Sequence, residues 1–265
     1  MTTDPGAWVT SPRGHWVVIP AYQEVRTIRD VASRALQHVE NVIVVDDGST
    51  DGTAEALDAL PLVLLRNSTN CGKASSLRRG LEHALSAGAR AVVTLDGDGQ
   101  HAPEDIPKLL TKCASYPDHL IIGARRRDQR RALLRRYLAN CVADFWISWA
   151  AGYPLEDSQS GFRIYPASLL NNVKVKSGKA RSFVFESEIL IEASRLGYRS
   201  LSVTIEAPQR PGMRPSHFRP VLDIARITRM VAWKLIARGM YPLGLYRSLF
   251  GRTEACQMAA PVLRK

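Results

Sequence analysis

Four short runs of Val, Ile and Leu dominate the first hundred residues, at 16–19, 42–45, 62–65 and 91–95. None alternates between apolar and polar positions, which is the pattern of strands covered on both faces of a parallel sheet. Between the runs the period changes. Residues 27–39 place Ile28, Val31, Ala35 and Val39 at helical spacing, and residues 53–60 and 73–87 behave the same way. Strand–helix alternation with short links predicts an α/β fold: a three-layer sandwich around a mostly parallel sheet, with right-handed crossovers.

Further along, the pattern predicts a helix at 103–114, a strand at 120–123 and a helix running to residue 150. Residues 157–205 mix short strands with a helix at 186–196. A C-terminal amphipathic helix follows at 221–236, where Arg226, Arg229 and Lys234 sit among large apolar residues. With no internal repeat or low-complexity linker, the expected organisation is an N-terminal extension (1–14), one α/β domain (15–218), a helical extension (219–250) and a tail (251–265).

Composition narrows the partners. Apolar residues make up 45% of the 265, enough for a core of this size. The formal charge of +11 and a pI near 9.8 call for an anionic partner: nucleic acid, an acidic membrane or phosphorylated ligands. Cys71, Cys113, Cys141 and Cys256 are scattered without zinc spacing, as expected of reduced thiols in a cytosolic protein. The first residues lack the basic start and apolar run of a signal peptide. No stretch reaches the roughly 20 apolar residues needed to span a bilayer. A soluble or peripheral protein is expected.

Candidate chemistry follows the strand ends, where ligands bind in open α/β sheets. Asp96-Gly97-Asp98-Gly99-Gln100-His101 succeeds the fourth run. Two carboxylates separated by one small residue can face one hard cation, Mg²⁺ or Mn²⁺, and Gln100 can add an amide oxygen. His101 is either a solvent-facing turn residue or a ligand. Asp46-Asp47-Gly48-Ser49-Thr50-Asp51 ends the second run. Ser49 or Asp51 can cap and Gly48 can turn, whereas Asp47 can accept hydrogen bonds from a base or ribose. After the first run comes Pro20-Ala21-Tyr22-Gln23-Glu24, where Tyr22 can pack on a base and Glu24 can accept hydrogen bonds. Neither GxGxxG nor a P-loop is present, which argues against NAD and ATP hydrolysis.

These segments, with Asp157-Ser158-Gln159-Ser160-Gly161-Phe162-Arg163, occur in an order that resembles family 2 glycosyltransferases of the Rossmann-like GT-A fold, over residues 15–235. The dolichyl- and polyprenyl-phosphate mannosyl- and glucosyltransferases are the most similar branch. The resemblance implies that Pro20, Tyr22, Glu24, Val45 and Asp47 line a nucleotide pocket. It implies that Asp96, Asp98 and Gln100 meet a metal and the diphosphate, with Gly97 packed close. Arg125 matches a family arginine near the phosphates, Arg135 or Arg136 a second, and Arg210 with Ser216-His217-Phe218 a late loop over donor or acceptor. Gln23 departs from the family, which often has Asn there.

The acceptor is read from the basic stretches. Seven arginines and one acid lie between Arg125 and Arg136. A solvated basic face and nucleic-acid binding are the generic readings of such a run. The next helix, however, carries Phe145, Trp146 and Trp149, and 221–236 carries Trp233 among cations, which suits an anionic membrane surface rather than nucleic acid. The expected reaction is inverting transfer of a sugar from GDP or UDP to a lipid-linked acceptor such as polyprenyl phosphate, at the cytoplasmic face of a membrane. Arg125, Arg136 and Arg210 would hold the phosphates. A hydroxyl acceptor on a glycan or small lipid would instead need a base, for which Asp157 is the candidate; equally, Asp157 can simply fix its loop. Glu186 and Glu188 are either exposed helix-start acids or acceptor-site residues. A non-catalytic basic module for membrane or nucleic acid leaves the strand-end carboxylates unexplained.

Overall fold

The computed structural model describes residues 14–125, 134–175, 178, 184–206 and 220–251, and the side chains of 134–140 and 220–223 fall outside that description. Among the described residues seven strands form one sheet: β1 (His15–Ala21), β2 (Asn41–Asp46), β3 (Val63–Arg66), β4 (Ala91–Thr94), β5 (Leu120–Arg125), β6 (Arg163–Pro166) and β7 (Ser200–Ile205). Their spatial order is β3-β2-β1-β4-β6-β5-β7. Only β6 runs against its neighbours: it pairs antiparallel with β4 and β5, and the other pairings are parallel. This reversal brings the segment before β6 to the edge of the sheet where β1, β2, β4 and β5 end.

The expected three layers are present. On one face α1 (Ile28–Leu36) and α3 (Ile106–Ser115) bury Ile28, Val31, Ile106 and Leu109 against Val17, Ile19 and Val44. On the other, α2 (Lys73–Ser86), α4 (Leu134–Ala151) and α6 (Val184–Arg195) cover Val18, Val45 and Val92. A short α5 (Ala167–Asn172) follows β6, and α7 (Pro220–Ile236) packs on α4 and α6. Lys234 ties α7 to α6 by pairing with Glu188 at 3.0 Å and with Glu192.

Two expectations are corrected. Residues 53–60 hold only one 3₁₀ turn, Glu55–Leu57, because Asp51 folds onto the Thr53 N–H and Ala59 adopts φ +64° ahead of Pro61. The third run is an edge strand, not one covered on both faces, and Leu64 is 37% exposed. The helix expected at 221–236 is α7; beyond it the chain turns at Met240 and Tyr241, both at positive φ, and a further helix, α8 (Pro242–Phe250), folds back onto α4.

Helix α2 lies flush on the sheet through Gly80, where a Cβ would sit 2.4 Å from Val18 Cγ1 and 3.1 Å from Val45 Cγ2. Both valines are buried and stiff at χ1, so Gly80→Ala is expected to lower stability by about 1–3 kcal/mol. An unchanged urea midpoint would show that the packing is looser than the geometry says.

His101 is not solvent-facing; it is buried with its ring 5.6 Å from that of Phe162. Burial, helped by the Arg125 and Lys73 cations and only partly opposed by Asp96, pushes its pKa down to about 4. An unfolded chain takes up this proton near the ordinary 6.5 while the folded chain refuses it. Stability is therefore expected to drain away as pH falls from 6.5 to 4, by about 3 kcal/mol at the limit. His101→Phe should flatten that slope in thermal melts between pH 7 and 5; an identical slope in both proteins would refute the assignment.

Candidate active site

Strand ends deliver the polar residues to one edge. The loops after β1 and β2 are stitched together: the Gln23 N–H donates to Ser49 Oγ at 2.9 Å, Glu24 N–H to Thr53 Oγ1 at 2.8 Å, and Val25 N–H to Asp51 Oδ2 at 3.2 Å. The residues read as turn and cap thus cross-link two loops. Gln23 adopts φ +58°, a left-handed conformation in which Asn is better tolerated than Gln. This gives a backbone meaning to its departure from the family.

The expected nucleotide residues separate into two groups. Tyr22 is half-buried and Glu24 buried at the loop after β1. Val45 is fully buried beneath α2 among core residues, so its side chain lines no open surface, and Pro20 is buried within β1. Asp47 organises the chain ahead of α2. Its Oδ1 accepts from Asn67 Nδ2 at 2.8 Å and the Cys71 N–H at 2.9 Å, and its Oδ2 accepts from the Gly72 N–H at 2.7 Å. Asp46 holds the Ser49 N–H at 3.0 Å and lies 3.2 Å from Arg66 Nε of β3.

Asp96 and Asp98 flank Gly97 at the end of β4. Gly97 is pressed against β1 and α1, with the Thr27 hydroxyl donating to its carbonyl at 2.7 Å and room for a Cβ only 3.2 Å from Ile28 Cδ1 and the Pro20 carbonyl. Asp98 Oδ1 accepts the Gln100 N–H at 2.9 Å. Burial, then the charge of Asp96, pushes the Asp98 carboxyl up to about 6. Asp96 moves the other way: burial opposes it, but Lys73 outweighs burial and holds its carboxyl below the usual range.

Lys73, which the sequence reading passed over, sits with Nζ 2.7 Å from Asp96 Oδ1 and 3.1 Å from Glu186 Oε1. Its signal was present in the sequence. Lysine at the first position of a helix opposes the macrodipole and calls for an anionic partner. Glu186 and Glu188 are both buried, one on Lys73 and the other on Lys234, so neither is an exposed helix-start acid.

Arg125 and Asp157 form a two-pronged pair: Nε donates to Oδ2 and a terminal guanidinium nitrogen to Oδ1, both at 2.8 Å, with the Arg125 N–H adding 3.0 Å to Oδ2. Burial alone would raise the Asp157 carboxyl, yet the guanidinium holds it below the ordinary range. Arg163, also unassigned from sequence, is fully buried and donates to the carbonyls of Ser158 (2.7 Å), Ser160 (2.7 Å) and Glu186 (2.6 Å), joining this loop to α6. Beside Arg125 and Asp157 opens a cavity of about 550 Å³, walled also by Asp144, Phe145, Leu155 and Ser248. Asp96 and Asp98 are outside its wall, on the half-exposed strand edge. Arg210 and Ser216-His217-Phe218 lie outside the described residues, as do the side chains of Arg135 and Arg136.

The chemistry of the pair fits a divalent cation. Among the described residues no cation pairs with Asp98, while its neighbour carries a like charge. No cluster of three or more acidic, His or Cys side chains converges there either. Two carboxylates without a full protein cage suit an ion that completes its shell with phosphate and water.

Comparison with known proteins agrees with this arrangement. The profile described as Glycosyl transferase family 2 matches residues 16–186. The UDP-N-acetylglucosamine–dolichyl-phosphate N-acetylglucosaminyltransferase of Methanococcus voltae is 30% identical over 203 residues, 68% of this chain and 80% of its own. The undecaprenyl-phosphate mannosyltransferase of Micrococcus luteus is 28% identical over 231 residues, 83% of this chain and 94% of its own. Among solved structures, glucosyl-3-phosphoglycerate synthase from Mycobacterium tuberculosis, in complex with Mn²⁺, UDP and glucosyl-3-phosphoglycerate, superposes with a TM-score of 0.62 at 23% identity, covering 89% of this chain and 84% of that one. The fold is GT-A, and the chain belongs to glycosyltransferase family 2.

Proposed function

We propose that this glycosyltransferase moves a sugar from a GDP- or UDP-linked donor to the phosphate of a lipid carrier of the polyprenyl or dolichyl type. The relatives from Methanococcus voltae and Micrococcus luteus bear names that specify such lipid phosphates. The observation that carries the reading is the state of Asp157. Three hydrogen bonds from Arg125 hold it as a carboxylate of low basicity, a poor group for deprotonating a hydroxyl. An acceptor phosphate needs no such base, because its oxygen is already anionic near neutral pH. Asp157 then acts through Arg125, aiming the guanidinium at phosphate oxygens beside the cavity, with Arg136 and Arg210 as further cationic contacts.

In this reading Tyr22, Glu24 and Asp47 form the nucleotide side of the site with Pro20 and Val45 behind them. Asp47 contributes through the Oδ2 lone pair that the loop leaves over. Asp96, Asp98 and Gln100 hold Mg²⁺ or Mn²⁺, Asp98 chiefly, and Gly97 lets the turn approach the diphosphate. A cation held by these residues would supply positive charge to the departing diphosphate. The acceptor oxygen attacks the anomeric carbon from the opposite face, so the configuration inverts.

Membrane delivery of the acceptor is supported by the two C-terminal helices, of which α8 walls the cavity through Ser248. The exposed positions of α7 from 224 to its end are Ile224, Ala225, Thr228, Arg229, Ala232, Trp233 and Ile236, with one cation and no acid. On α8, Leu243, Tyr246, Leu249 and Phe250 are exposed beside Arg247. An ordinary solvated face would carry charges of both signs. Apolar and aromatic side chains with arginine suit the headgroup layer of an anionic bilayer. Among the described residues no helix is long and apolar enough to cross a membrane.

Nucleoside diphosphate release should be strongest with one GDP- or UDP-sugar, depend on Mn²⁺ or Mg²⁺, and rise when polyprenyl phosphate is added. Asp98→Ala should lower transfer by about 100-fold or more without altering the thermal melt. Wild-type turnover in that variant would contradict the metal role, and a product stable to mild acid would point to a hydroxyl acceptor instead. In liposome flotation the protein should rise with vesicles containing anionic lipid; equal recovery in the soluble fraction with and without that lipid would remove the membrane from the scheme.

A further inference from the structure

Lys73 is the residue whose placement the scheme above does not use. It opens α2, where the helix dipole disfavours a cation, and the first turn holds no acid to compensate. Its side chain is only 21% exposed, against 23% for Asp96 and 7% for Glu186. Burying an ammonium there is sustained by the two carboxylates it bridges, one from the end of β4 and one from α6. Burial acts to lower its pKa, but Asp96 and Glu186 outweigh burial and keep it charged, above the ordinary lysine range.

The same contact fixes Asp96. Oδ1 faces Lys73 Nζ at 2.7 Å, while Oδ2 rests against Gly161, where a Cβ would come within 2.5 Å. Gly161 is itself anchored, since its carbonyl accepts the Thr94 hydroxyl at 2.8 Å. Glu186 is held in turn through Arg163, which donates to its carbonyl at 2.6 Å. Asp96 is thus held on both oxygens, whereas among the described residues Asp98 accepts one hydrogen bond, from the Gln100 N–H. Coming from the start of α2, Lys73 is also placed by the loop that Asp47 organises through the Cys71 and Gly72 N–H groups.

We propose that Lys73 is a positioning residue for metal-dependent transfer: it locks the orientation of Asp96 and balances its charge, so that a divalent cation settles productively on the Asp98 side. This rests on the metal-dependent reading above. Without Lys73 the edge keeps Asp96, Asp98 and Glu186 with no directly paired cation among the described residues, and Arg125, itself paired with Asp157, acts on Asp96 and Asp98 only through its field. A bare divalent ion would then bind more tightly, but to a carboxylate pair no longer held in working geometry. A merely structural lysine would weaken binding and activity together.

The test reads Mn²⁺ alone, through its electron paramagnetic resonance signal, alongside steady-state transfer. Lys73→Met is expected to bind Mn²⁺ about tenfold more tightly than wild type. Its kcat should fall by about 10- to 100-fold, with a smaller change in donor KM. Lys73→Arg keeps the charge and should retain wild-type Mn²⁺ affinity while recovering much of kcat. If Lys73→Met does not fold, Lys73→Met/Glu186→Gln removes one charge of each sign and should show the same loss of kcat. Lys73→Met with unchanged or weaker Mn²⁺ binding, or either Met variant with kcat within about twofold of wild type, overturns the proposal. Wild-type transfer in saturating chelator would instead sink the metal-dependent reading itself, so the two failures are distinguishable.

Discussion

Two aspartates one residue apart at the end of a buried strand repel each other, and the organisation of this protein's polar edge follows from containing that repulsion. Coulomb interactions are strong where water is scarce, so each like charge needs a fixed counter-charge or a mobile one. Asp96 has a fixed one in Lys73. Asp98 has none among the described residues, and its carboxyl is pushed up to about 6 by burial and by Asp96. The asymmetry makes one carboxylate a permanent part of the framework and leaves the other available to a ligand.

The framework extends outward through groups that also have partners. Glu186 shares Lys73 with Asp96, and its carbonyl receives Arg163, whose remaining donors shape the loop before β6. The same loop carries Asp157, which fixes Arg125 at the end of β5. Ser160 adds a tie to the Gly123 carbonyl at 2.7 Å. Strand β6 is what makes this possible: by running antiparallel it returns the loop to the edge where the parallel strands end. Two residues farther along α6 from Glu186, Glu188 pairs with Lys234 of α7, so one helix touches both the polar edge and the apolar helical surface. Buried charges arranged in pairs of this kind contribute geometry more dependably than net stability.

Much of this was legible along the chain. Runs of Val and Ile without alternation identify strands covered on both faces, and the helical period between them fixes the layer order, because both depend on burial that repeats locally. Motif order identified the family, since three of the motifs follow parallel strands and the fourth precedes the antiparallel β6, so all of them converge on one edge of the sheet. The misreadings arose where local pattern and tertiary position disagree. Residues 62–65 look fully buried, yet β3 is an edge strand, and nothing within the run says how many neighbours it has. Val45 sits two residues before Asp47 and on the same face of β2, but it lies inside the strand beneath α2 and in the core, whereas Asp47 lies past the strand's end.

The sequence by itself determined the α/β layering, the family and the acidic turn at 96–98, because these are written in spacings of a few residues. Only the tertiary structure decided which charges meet. Lys73 is 23 residues from Asp96 and 113 from Glu186, and Arg125 is 32 from Asp157. Such pairs form when separate strand ends and helix starts are brought to one edge, and a side chain's partner across that edge has no imprint in its own neighbours.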